Sequence, residues 1–115
     1  MYKLISFSVF LFIVLFGCSK DDEKITGVAC DGSNLAYNTG ISTIINANCT
    51  NSSCHGGNSP HGNFTTYGGM QAVISNGAFN NHVLVKQDMP KGSAVLTQSQ
   101  LNKLKCWVDN GFPEN

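Results

Sequence analysis

Cys49-Thr50-Asn51-Ser52-Ser53-Cys54-His55-Gly56-Gly57 is the stretch on which the reading of this chain turns. Two thiols are separated by four small, polar, turn-prone residues, as a short bulge requires. An imidazole follows the second thiol directly, and two residues without side chains let the backbone pass close to a neighbour. Three chemistries use such a set. The thiols can join in a small disulfide, a reasonable state for an exported protein. They can bind zinc together with His55, His61 or His82. Zinc sites, however, usually draw their ligands from two clear pairs, and no second Cys or His pair appears.

The third chemistry becomes visible once the rest of the chain is weighed. With 115 residues there is room for one domain. Of the 48 apolar residues, 13 fall within residues 1–17, so the remainder has a thin ordinary core. A domain of that size needs a staple such as a disulfide, a metal or a large cofactor. Cysteine pairs followed by histidine are the logic of c-type haem attachment, here with a four-residue spacer in place of the usual two. Each thiol adds across one vinyl group of the porphyrin, and the histidine donates a ring nitrogen to the iron as proximal ligand. On this reading Cys49 and Cys54 hold one haem c covalently and His55 ligates it. A plain disulfide leaves both His55 and the thin core unexplained. Seven lysines balance seven acidic residues and there is no arginine, which excludes nucleic acid as a natural partner.

Upstream of the motif, Ile41, Ile44, Ile45 and Cys49 recur at helical spacing, and Asn38 or Thr39 is a candidate cap. The spacing predicts a helix over 38–49. A second, weaker helix is expected over 66–75, where Tyr67, Met70, Val73 and Ile74 share a face despite Gly68-Gly69. Thr97-Gln98-Ser99-Gln100 resembles a capping box ahead of Leu101, Leu104 and Val108. Gly111 can close that helix and Pro113 forbids its extension. Val83-Leu84-Val85 is a candidate extended piece too brief to decide. The expected fold is all-α: three short helices and long loops arranged around something large, with no internal repeat.

Residues 1–17 combine one lysine with a greasy run from Leu4 to Phe16, which fits a secretory signal peptide and is too short to span a bilayer. Leu15-Phe16-Gly17-Cys18 resembles the lipobox of bacterial lipoproteins, which implies that Cys18 is lipidated after cleavage. The alternative is an ordinary signal peptide with Cys18 as a spare thiol. Two or three acyl chains anchor durably where one does not. Residues 18–29 read as a flexible acidic tether. Its Ser19-Lys20-Asp21-Asp22-Glu23 is either a solvated linker or, by resemblance, the signal that exports lipoproteins of Bacteroidetes-type bacteria to the outer cell surface. The folded domain is expected over 30–115.

Taken together, residues 30–115 resemble a small class I cytochrome c domain of Bacteroidetes-type lipoproteins. The matching features are Ile41–Ala47 leading into Cys49-x4-Cys54-His55, Tyr67 opening a middle helix, Met89-Pro90-x-Gly92, and a last helix ending Cys106-Trp107-Val108-Asp109-Asn110-Gly111. The resemblance implies that the first and last helices cross, that the haem sits between the loops, and that the protein transfers electrons. It also implies Met89 as distal iron ligand. Pro90 biases Met89 to extended backbone and Gly92 lets the loop turn. His82 is the alternative ligand, with His61 and Met70 behind it. Met70, on an amphipathic face, reads better as core filler, and His61 and His82 by default as exposed loop histidines.

Cys30 and Cys106 bracket the domain, and lone thiols outside the cytoplasm tend to pair, so a Cys30–Cys106 disulfide is expected; two free buried thiols are the alternative. Trp107 and Phe112 are expected to shield the haem or the helix crossing, and Phe64, Tyr67 and Phe79 to line the pocket. Lys86, Lys91, Lys103 and Lys105 are candidates to steer an acidic partner. No acid, base or nucleophile constellation marks an enzyme. The function expected is a lipid-anchored monohaem cytochrome that carries single electrons between redox proteins of the cell envelope, held on the outer membrane at its periplasmic face or on the cell surface. The alternatives are a haem-bearing sensor or ligand-binding module and a non-haem, disulfide-stapled surface lipoprotein. A haem protein of this kind, stripped of its cofactor, must show a hollow between His55 and Met89 with the sulfurs of Cys49 and Cys54 at its rim.

Overall fold

Ile41, Ile44 and Ile45 lie on one stripe, and the chain coils so that all three are buried. In the computed structural model, which describes Cys30 and residues 35–92 and 94–115, this first helix is a π-helical turn, Tyr37–Ile41, running into α1, Ser42–Asn48. It begins earlier than the sequence suggested, and neither Asn38 nor Thr39 caps it. Ala36 is the N-cap and makes no side-chain cap bond. The free N–H groups of the first turn are taken instead by the C-terminal tail. Tyr37 N–H donates to the Pro113 carbonyl at 2.9 Å and Asn38 N–H to the Glu114 carbonyl at 2.9 Å.

The two threonine-capped helices form where expected. Thr66 accepts from Gly69 N–H at the start of α2, Tyr67–Ser75. Of the two glycines that weaken this helix on propensity, Gly69 has a packing reason, whereas Gly68 faces open space. A Cβ on Gly69 would collide with the Asn63 carbonyl, so the preceding loop lies directly against the first turn. In α3, Gln98–Asp109, Thr97 and Gln100 exchange both bonds of the capping box. Its C-terminus is a Schellman motif: Phe112 N–H reaches the Trp107 carbonyl at 2.8 Å and Gly111 N–H the Val108 carbonyl at 3.0 Å. Gly111 takes a φ of 85° there.

Val83-Leu84-Val85 is not extended. It belongs to a second π-helical turn, Asn80–Val85. Val83 and Leu84 are both buried, and consecutive inward residues suit a coil rather than a strand, where neighbours point to opposite faces. The described residues are therefore helical with no strand, in three α-helices and two π-helical turns.

Trp107 is fully buried at the centre. Its ring meets Phe79 and Phe112 edge-on at 6.4 and 6.3 Å and lies 6.2 Å from Tyr37. Its indole N–H donates to the same Pro113 carbonyl that takes Tyr37 N–H. The start of the first helix thus packs on the last one, with the tail sealing their junction. Cys30 and Cys106 form a disulfide that encloses a loop of 76 residues, worth roughly 4 kcal/mol in the chain-entropy view. The expected signal peptide over 1–17, lipidated Cys18 and tether over 18–29 lie outside the described residues. Among the described residues no helix is long and apolar enough to cross a membrane.

Candidate functional site

The end of α1 delivers Cys49 into the domain. Cys49 N–H bonds back to Ile45 O at 2.8 Å, and the chain then turns through the four-residue spacer. Two carbonyls organise that turn. Asn51 O accepts from Cys54 N–H at 2.8 Å and from Gly56 N–H at 3.3 Å, while Cys49 O accepts from His55 N–H at 3.0 Å. Gly56 is buried, and a Cβ on it would stand 2.6 Å from the Thr50 carbonyl. Only glycine lets the spacer close this tightly. Cys49 and Cys54 are both free thiols, so the small disulfide considered for them does not form. Burial pushes the Cys49 thiol up to about 11, with the neighbouring Cys54 adding to the shift. Cys49 is thus a protonated thiol at neutral pH.

His55 is held from two directions. Its Nδ1 lies 3.0 Å from the His61 carbonyl oxygen. A carbonyl only accepts, so Nδ1 holds a proton, and the neutral ring that fits this bond is the tautomer with its lone pair on Nε2. The imidazole also stacks on Phe64, with ring centroids 3.9 Å apart and planes 2° from parallel. Phe64 in turn donates its N–H to the His55 carbonyl at 2.9 Å and accepts from the buried Tyr37 hydroxyl at 3.1 Å. Ser59 supports the loop: its hydroxyl donates to the Cys54 carbonyl and accepts from His61 N–H.

On the other wall, the π-helical turn brings His82 beside Met89. The His82 carbonyl accepts from Asp88 N–H at 3.0 Å and from Met89 N–H at 3.2 Å. Its ring Nδ1 donates to Asp88 Oδ1 at 2.9 Å. That hydrogen bond is the main reason the exposed Asp88 carboxyl sits below its ordinary range. Met89 is half-buried and joined to Pro90 through a cis peptide.

These two walls face one cavity of about 470 Å³, within the ~300–1,000 Å³ usual for ligand and cofactor sites. Cys49, Cys54, His55 and Met89 all line it, as do His61 and His82. Phe64, Val73, Phe79 and Val83 supply the large apolar side chains of the remaining wall. The hollow expected between His55 and Met89 is therefore present, with both cysteines on it. Met70 is fully buried in the core and does not line the cavity. Among the aromatics, Phe64 and Phe79 line it, whereas Tyr67 turns away to donate its hydroxyl to the Phe112 carbonyl at 3.0 Å. Trp107 and Phe112 belong to the helix crossing. Of the four lysines considered, Lys91 lies on the cavity and Lys105 pairs with Asp109 at 2.6 Å.

His61 is exposed in its loop as expected and His82 is part-exposed, though in the π-helical turn rather than a loop, and each also has structural work: one through its carbonyl, the other through carbonyl and ring. No residue-type signal marks a backbone carbonyl. Tyr37 was passed over, although it extends the Ile41-Ile45 stripe by one step of four and was legible on that ground. Among the described residues, no group of three or more His, Cys, Asp or Glu side chains converges as on a bare metal ion. No protein-family model, no curated protein and no solved structure matches the chain.

Proposed function

We propose that the chain is a monohaem c-type cytochrome that passes single electrons between redox proteins of the cell envelope, tethered to the outer membrane through a lipid on Cys18. One observation carries this reading: two free cysteines, a histidine whose Nδ1 is bonded to a carbonyl, and a methionine line one apolar cavity. The residues present fit the group on chemical grounds. Thioether attachment requires two unpaired cysteines, and ligation to iron by Nε2 requires the proton on Nδ1. A thioether opposite the imidazole favours the ferrous state. When bound, the haem supplies a one-electron ferric/ferrous couple.

The chain's own residues do the rest. The His61 carbonyl holds the His55 tautomer. Phe64, Val73, Phe79 and Val83 line the cavity with apolar surface, which disfavours water beside the group. The His82 carbonyl fixes the backbone from which the Met89 side chain extends. No proton donor or nucleophile needs to act, so the reading is of a carrier rather than an enzyme. The lipid anchor rests on Leu15-Phe16-Gly17-Cys18.

Production of the full chain alongside a haem-attachment machinery tests the reading. The mature protein is expected to give a positive pyridine haemochrome assay, an intact mass increased by one haem and by lipid, and no free thiol at Cys49 or Cys54. Its ferric form is expected to show the weak near-infrared band of methionine ligation. Colourless, stable protein with Cys49 joined to Cys54 would overturn the proposal in favour of a disulfide-stapled lipoprotein. Haem without the methionine band would point to the sensor class.

A further inference from the structure

Phe64 is the residue through which the protein interior reaches His55. Its ring covers one face of the imidazole at 3.9 Å and lies within 2° of parallel to it. Its main chain is held at both ends. Phe64 N–H donates to the His55 carbonyl, and the Phe64 carbonyl takes the Tyr37 hydroxyl. Tyr37 is itself locked, because its N–H and the indole N–H of Trp107 share the Pro113 carbonyl. Phe64 is 7% exposed, Tyr37 4% and Trp107 0%, so these contacts are not diluted by solvent. An unbroken path of buried contacts thus runs from the junction of the first and last helices to the ring of the candidate proximal ligand.

An imidazole joined to its backbone through two rotatable bonds has freedom to swing about χ2. One hydrogen bond from Nδ1 to the His61 carbonyl restrains one edge of the ring but leaves it able to tilt. A parallel ring against the face removes that tilt. We propose that Phe64 is a positioning residue that fixes the plane and the tautomer of His55, and that the Tyr37 hydroxyl holds Phe64 in place to do so. This goes beyond ligand identity, and in its consequence for the iron it rests on the cytochrome reading.

The test compares Phe64→Leu, which keeps an apolar filler but loses the stack, with Phe64→Tyr, which keeps the ring. Both are made in the full, haem-loaded chain. Phe64→Leu is expected to change the electron paramagnetic resonance anisotropy of the ferric form, which reports the plane of the axial imidazole. It should also shift the reduction potential, while Phe64→Tyr restores both toward wild type. In the same chain lacking haem, nitrogen NMR of His55 is expected to show the Nδ1–H form as the dominant neutral tautomer. A minor Nε2–H form should grow by up to about tenfold in Phe64→Leu, as loss of a stack worth ~0.5–1.5 kcal/mol allows. If Phe64→Leu does not fold, Tyr37→Phe replaces it and is expected to move the same signals in the same direction by less. Folded Phe64→Leu with wild-type anisotropy, potential and tautomer overturns the positioning role and leaves the cytochrome reading intact. Absence of haem removes that reading, and the tautomer measurement still decides the role of Phe64.

Discussion

The two walls of the cavity are built to different standards. The Cys49–Phe64 wall is fixed by main-chain bonds from Asn51, Cys49 and His55 carbonyls, by a buried hydroxyl from Tyr37, and by a ring stack. Beyond the buried Val83 and Leu84, the loop that carries Met89 depends on one carbonyl, that of His82, and on a His82–Asp88 hydrogen bond whose side chains are 43% and 51% exposed. Exposed pairs contribute little to stability. The comparison teaches that the thiol and imidazole side is tied down up to the ligand residue itself, whereas on the methionine side the buried anchor is Val83 and Leu84 and the loop beyond them to Met89 is held by fewer bonds. If the chain is the electron carrier proposed above, the more firmly held ligand would set the position of the haem and the other would tune its potential.

The strongest way to break this contrast is at Gly56. Gly56→Ala places a methyl 2.6 Å from a carbonyl that has no room to retreat. It is expected to cost about 1–3 kcal/mol of overpacking and to lower haem incorporation, measured by denaturant unfolding and by haem content of the purified protein. Alkaline titration of the haem-free chain should show a comparable effect from the same wall. The Cys49 thiol is raised from 9.0 to about 11 in the fold. The fold therefore favours its neutral form, whose stabilisation is full below pH 9 and is lost as pH rises to about 11. The loss should approach ~2–3 kcal/mol. A chain whose Cys49 is a thioether has no such proton to lose and should lack this alkaline limb.

Effects on the other wall should be local. Met89→Ala is expected to leave covalent haem and helicity in place, abolish the near-infrared band and lower the potential, since the thioether no longer favours ferrous iron. Equal loss of fold and band would contradict the contrast. The smallest effect is expected from Asp88→Asn. The Asp88 carboxyl is held low chiefly by its His82 hydrogen bond, so its contribution is present above the usual carboxyl range and fades on acidification. The substitution should raise amide exchange at residues 82–89 with almost no change in Tm.

Legibility in the sequence follows the same division between local and distant causes. Thr66 and Thr97 announce their helices because a threonine side chain caps its own neighbours three residues on. The pairing of Cys30 with Cys106 was open to argument from redox chemistry and position. By contrast, the start of the first helix is capped by Pro113 and Glu114, more than seventy residues away, and nothing near Tyr37 signals it. Val83-Leu84-Val85 was too brief to decide between extended and helical backbone, and burial of both Val83 and Leu84 against the core settles it as a coil. At the site, residue types exposed the thiols, His55 and Met89, since their chemistry lies in side chains. The supports at His61 and His82 act largely through carbonyls, which every residue possesses.

The disulfide has a mechanical meaning as well as a thermodynamic one. Because it joins Cys30 to Cys106, tension applied upstream of Cys30 is transmitted straight into the last helix through sulfur. The span between the two half-cystines, including both cavity walls, bears none of that load. Force entering through Cys30 cannot pull the pocket segment out in series without first breaking a covalent bond.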